Sequence, residues 1–317
     1  MKRFFIRVLV YLGIVLLCSA LFLRVLVAFP NEYCRQSHEV NVIKQIERMK
    51  TINEPKIIII GGSGCGFGLC SKLISEHFNM PVCNTGTHAG MGLITHINLC
   101  KEFVHDSDIV VVIPEYSQYL GNRRFGDVAA LRILTSLYPK GYKYFTFQQQ
   151  IQLLQHVPSA HKDAMSARGR IFDEDSPYSQ KSLNEYGDVE MYEMRCHKTD
   201  KDWEPKKWER TKVEKESVAL LQGFYNYCEK HHAKMLLFPP AYKAMNFDVN
   251  ENTIHSIWSS LEEAQLPCIS APERYKMVDT MHYDTEYHLT YEGVMIRTKR
   301  LIADMDSALR DYNNAQY

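Results

Sequence analysis

The sequence predicts an α/β fold built on a parallel sheet, and three observations predict it. Ile57-Ile58-Ile59-Ile60 is an unbroken run after Pro55-Lys56, and a branched apolar run with no alternation suits a strand buried on both faces. Two further apolar runs, one ending at Asn84 and one over 107–113, also stop at glycine or proline turns, and segments of helical spacing lie between. Such strand–loop–helix units in succession argue for parallel pairing. The rhythm returns with apolar runs over 234–238 and 267–270. The spacing of the five runs, at 57, 82, 109, 234 and 267, predicts one five-stranded parallel sheet in the order 2-1-3-4-5.

The elements can be justified in turn. Residues 8–23 carry no charge, and after Arg24 the apolar run continues to Phe29. The stretch is long enough to span a bilayer, and Arg24 near its end can snorkel to the interface. No convincing small-residue cleavage site precedes Pro30, which favours a retained anchor over residues 1–30 rather than a cleaved leader. Lys2, Arg3 and Arg7 favour a cytoplasmic N-terminus, which places the following domain outside the cytoplasm. A buried core helix is the bland alternative for the same run. Residues 31–54 are polar with helical spacing at Val40, Ile43 and Ile46 and read as a linker helix. The domain proper occupies 55–317. Helices are expected at about 67–78, 88–104, 208–231, 252–264 and 290–310. Residues 120–205, rich in Tyr, Gln, Arg and Asp, break the rhythm and read as a helical and loop insertion.

Lys+Arg and Asp+Glu each number 37, and the four cations of residues 1–30 leave the rest slightly acidic. No basic patch dominates, which argues against a nucleic-acid partner. The nine cysteines form no C-x-x-C pair and no zinc-finger spacing, and most sit in apolar surroundings.

Ser63 closes the isoleucine run in Gly61-Gly62-Ser63-Gly64. That places its hydroxyl beyond the carboxyl end of a strand, where open α/β sheets bind their ligands. A dinucleotide fingerprint fails because Phe67 stands where the third glycine belongs, and a P-loop fails for want of G-K-[ST]. An activated nucleophile and a plain tight turn remain open. His282, Asp284 and His288 contain metal-ligand types, but no third or fourth ligand has a recognisable spacing, so no metal is expected.

Five blocks stand out: the strand ending in Gly61-Gly62-Ser63, Asn84-Thr85-Gly86, the strand ending in Pro114-Glu115-Tyr116, Tyr186-Gly187-Asp188, and Asp284 to Thr290 with Gly293. Taken together, these blocks resemble the SGNH/GDSL-type hydrolases, in particular the membrane-anchored branch serving D-alanyl and alginate O-acetylation type acylation of cell-surface polymers. The resemblance implies a three-layer α/β/α sandwich, Ser63 as nucleophile, His288 as general base, and Asp284 as the residue orienting His288. It also implies an oxyanion hole from the Ser63 and Gly86 N–H groups. Two departures stand out. Asp284 and His288 are one residue further apart than the family's D-x-x-H, whereas Asp279 and His282 keep that spacing. The family's G-x-N-D block is missing, with Glu115 or Tyr116 at that strand end; these two and His88 are candidates to line the site. The resemblance implies esterase or O-acyltransferase chemistry without a cofactor, on an acylated cell-surface glycan or acyl donor, with a multispan membrane acyltransferase as partner. The rivals are an ordinary carboxylesterase and a non-catalytic scaffold or glycan-binding protein on the same fold.

Overall fold

The computed structural model describes residues 2–27, 32–156, 172–198 and 203–314. Helix α1 (Lys2–Val27) comes first. Its Lys2–Leu21 stretch is long and apolar enough to cross a membrane, and none of it is buried against the rest of the chain. Helix α2 (Asn41–Thr51) follows.

The central sheet is parallel and has the order β2-β1-β3-β4, formed by β1 (Ile57–Gly61), β2 (Val82–Asn84), β3 (Ile109–Ile113) and β4 (Lys234–Leu237). The four isoleucines of β1 are fully buried and alternate between two cores. Ile58 and Ile60 face one cluster with Val42, Ile46, Leu221 and Ile257, while Ile57 and Ile59 face another with Ile74, Leu301 and Met305. That two-sided burial is why the run shows no polar alternation. Each side chain contributes roughly 1.5–3 kcal/mol relative to exposure. Helices therefore cover both faces of the sheet: α2, α8 (Lys215–Lys230) and α9 (Ala244–Glu263) on one, α4 (Ser71–Phe78) and α10 (Tyr291–Asn314) on the other. Between these come α3 (Ser63–Gly66), α5 (Leu93–Lys101), α6 (Val128–Leu137) and α7 (Phe147–Gln155).

The expected fifth strand is a correction. Only Cys268 of 267–270 forms a bridge, a parallel one to Leu237. Pro267 has no N–H to give a ladder, and Ser270 turns to φ 75°, out of the β region. What remains is Leu237 N–H to Pro267 O at 2.9 Å and Ile269 N–H to Leu237 O at 2.8 Å. A separate parallel pair, β5 (Tyr242–Lys243) with β6 (Lys276–Met277), was not legible in the sequence.

One further expectation changes. The helix read over 67–78 begins only at Ser71, as α4, and the short α3 that ends at Gly66 precedes it. The linker helix read over 31–54 is present as α2, and it packs into the core through Val42, Ile46 and Met49. Asn41 reaches from α2 to the carbonyls of Asn84 at 3.0 Å and Gly187 at 3.2 Å, tying α2 to the end of β2. The described residues of 120–205 lie outside the sheet in helices and turns.

Candidate active site

Three strands of the sheet converge at their carboxyl ends on a cleft of about 1300 Å³. β1 delivers Ser63, the turn after β2 delivers His88, and the end of β3 delivers Glu115. The loop before α10 delivers His288. Glycine at 62 is required by close approach: a Cβ there would lie 2.5 Å from Glu115 Oε1 and 2.7 Å from Ala89 Cβ. The backbone must come this near because Ser63 begins α3 directly behind the strand.

Ser63 Oγ lies 2.9 Å from His288 Nε2, and His288 Nδ1 lies 2.9 Å from Asp284 Oδ1. These distances are within reach for proton transfer. The extra residue between Asp284 and His288 is absorbed by a turn in which Thr285 Oγ1 accepts from the N–H of Tyr287 at 3.3 Å and of His288 at 3.0 Å. The alternative acid, Asp279, is engaged elsewhere and accepts from Met245 N–H at 3.1 Å. Burial pulls the His288 imidazole below its ordinary value, opposed by the hydrogen bond and charge of Asp284. Burial pushes Asp284 up, but His288 and then Tyr178 outweigh it and hold the carboxyl below the usual range.

Several groups that fix this arrangement were missed in the sequence. Phe67 stacks on the His288 ring at 4.1 Å between centroids and 12° between planes. Tyr178, from the insertion, donates its hydroxyl to Asp284 Oδ2 at 2.6 Å and lies 3.1 Å from His288 Nδ1. His38, just before α2, lines the cleft beside Phe67 and Tyr178, and burial above all drives it down to about 3, so it stays neutral. Arg195 is buried and donates to the carbonyls of Val189 and Leu289, each at 2.5 Å, and to that of Phe67. Arg297 donates to Gly64 O at 2.5 Å. Neither the long separations in sequence nor the residue types announce these contacts; Phe67 alone left a trace, as the bulky residue in a glycine-rich stretch.

Two expected contributors are corrected. Gly86 does not line the cleft, and its N–H donates to Asn84 Oδ1 at 3.0 Å. Asn84 is held there because its Nδ2 bonds Asp188 Oδ1 at 2.8 Å, and Asp188 also accepts from Ser71 N–H and Oγ at 2.6 Å. The Tyr186-Gly187-Asp188 turn is thus a brace for β2, with Gly187 at φ 97°. Tyr116 points into the core, fully buried against Tyr242 and Trp208, and does not line the cleft. Ser63 lines the cleft, and its N–H, at the first position of α3, has no intrahelical acceptor. His88 and Glu115 both line it. Among the described residues no group of three His, Cys, Asp or Glu side chains is disposed to hold a metal ion.

Scanned against known protein families and against curated proteins, the chain matches none of them.

Proposed function

We propose that the protein is a serine-dependent esterase or O-acyltransferase of the SGNH type, carried on a membrane by α1 with its domain on the extracytoplasmic (periplasmic) side. The observation that supports this most is the hydrogen-bonded chain Ser63–His288–Asp284, of which Ser63 and His288 line the cleft. In this reading Ser63 Oγ attacks an acyl carbonyl while His288 Nε2 takes its proton. The carbonyl π bond opens to an oxyanion. When it re-forms, the bond to the alkoxide breaks, and His288 returns the proton to that leaving group. The acyl-serine then passes its acyl group to a sugar hydroxyl or to water by the same steps in reverse order. Asp284 holds the imidazole and stabilises its protonated form, and Phe67 fixes its plane. No cofactor takes part.

A cell-surface polysaccharide as acceptor fits a cleft lined by Trp208, Asn122, Arg123 and Gln118, an aromatic ring and polar groups suited to a hydroxyl-rich chain. One span suits a partnership with a multispan membrane acyltransferase that supplies acyl groups from the other side. The engagement of Gly86 N–H with Asn84 favours a second reading, a non-catalytic glycan-binding scaffold. Hydrolysis of p-nitrophenyl acetate by the full chain in detergent separates the two. For a working triad, Ser63→Ala and His288→Ala each lose about 10⁶ in kcat, and the double variant is no worse. Turnover equal in wild type and Ser63→Ala supports the scaffold.

A further inference from the structure

The oxyanion formed at Ser63 needs donors beyond the Ser63 N–H, and the groups expected to give them do not reach the cleft. Gly86 N–H is bound to Asn84, and Tyr116 is buried in the core. One polar side chain does stand at the turn. Glu115 follows β3, whose Ile113 pairs in register with Gly61, so its carboxyl lies across Gly62 and Gly64. Its Oε1 accepts from Gly64 N–H at 3.4 Å. The side chain is 7% exposed, lines the cleft, and enters no ion pair among the described residues.

We propose that Glu115 acts as a protonated carboxylic acid which donates a hydrogen bond to the oxyanion at Ser63, in the place an asparagine amide would otherwise fill. This inference rests on the serine-hydrolase reading above. As a carboxylate at that position Glu115 would repel the developing negative charge; as a neutral acid it is a strong donor. Burial raises its pKa to about 7, so the neutral form persists to near-neutral pH. The groups facing it are few. Glu286 raises it further, while the Gly64 N–H, Arg297 and Ser63 lower it. Tyr242, Tyr287 and Cys65 also face it, and burial lifts all three so that they are uncharged at neutral pH.

The test is the pH profile of p-nitrophenyl acetate turnover by the full chain in detergent, for wild type, Glu115→Gln and Glu115→Ala, with fluorophosphonate labelling of Ser63 as a parallel readout. Wild-type kcat is expected to fall tenfold per pH unit above about pH 7. Glu115→Ala loses on the order of 10²–10³ in kcat at pH 6, the usual cost of one oxyanion donor. Glu115→Gln recovers most of that loss, and its profile no longer falls above pH 7, because an amide donates at every pH. The wild-type profile requires no variant to fold. If it stays flat or rises between pH 6 and 9 while Ser63 is labelled and esters turn over, the neutral-acid role is overturned and the hydrolase reading stands. The same holds if Glu115→Gln is as inactive as Glu115→Ala while Ser63 remains labelled. If wild-type Ser63 takes no label and no ester is hydrolysed, both readings fall.

Discussion

Replacing Glu115 with glutamine removes one proton-binding group from the core, and its effect on stability can be worked out with its sign. In the folded chain Glu115 keeps its proton up to about pH 7, against 4.5 for the free group. Between those values the folded state binds more protons than the unfolded state, so stability falls as pH rises. The stabilisation is complete below about pH 4.5 and lost above about pH 7. Its size is the shift multiplied by 1.36 kcal/mol per unit, about 3 kcal/mol. The observable is the difference in unfolding free energy between wild type and Glu115→Gln. Asp188, lifted mainly by burial to about 6, and His38, lowered mainly by burial to about 3, titrate in both chains and cancel. Urea unfolding of the full chain in nonionic detergent, followed by fluorescence of the buried Trp258, measures it. Relative to the variant, wild type should lose about 3 kcal/mol between pH 4 and pH 8. A difference constant to within about 0.5 kcal/mol, or one that grows with pH, would refute the reasoning.

Other expectations follow from named contacts. Tyr178→Phe removes the hydroxyl bound to Asp284 and near His288 Nδ1, and should cut kcat about tenfold with KM unchanged, as expected for a hydrogen bond to a charged group worth about 1.5 kcal/mol; ester turnover reads it. Arg195→Met leaves the carbonyls of Val189, Leu289 and Phe67 without this donor and should cost roughly 3 kcal/mol in urea unfolding. Reporter enzymes fused after residue 60 should be active only when they function outside the cytoplasm; a cytoplasm-only reporter active at that point would contradict the proposed placement.

What the sequence made legible was local. The isoleucine run announced β1 because burial on both faces removes any need for polar residues, and Gly61-Gly62-Ser63 announced the turn because no side chain fits there. The strand order through β2, β1, β3 and β4 followed from parallel crossovers. Residues 267–270 misled because an apolar run does not reveal how one proline and one residue at positive φ defeat a ladder. The contacts of His288 with Tyr178 and of Arg195 with Phe67 and Leu289 were illegible because they join residues 94 to 128 positions apart, with no periodicity to betray them. Gly86 misled for a related reason: whether an N–H faces a cleft depends on whether a neighbouring side chain, here Asn84, has already claimed it.

The central claim is that Ser63 is a nucleophile activated by His288. Its most direct test is intact-mass and peptide mapping of the full chain after brief exposure to a fluorophosphonate at pH 6.5. The account predicts a single phosphonyl adduct on Ser63, lost in Ser63→Ala and slowed by on the order of 10³-fold or more in His288→Ala. An unmodified wild-type chain, or modification that persists undiminished in Ser63→Ala, would contradict it.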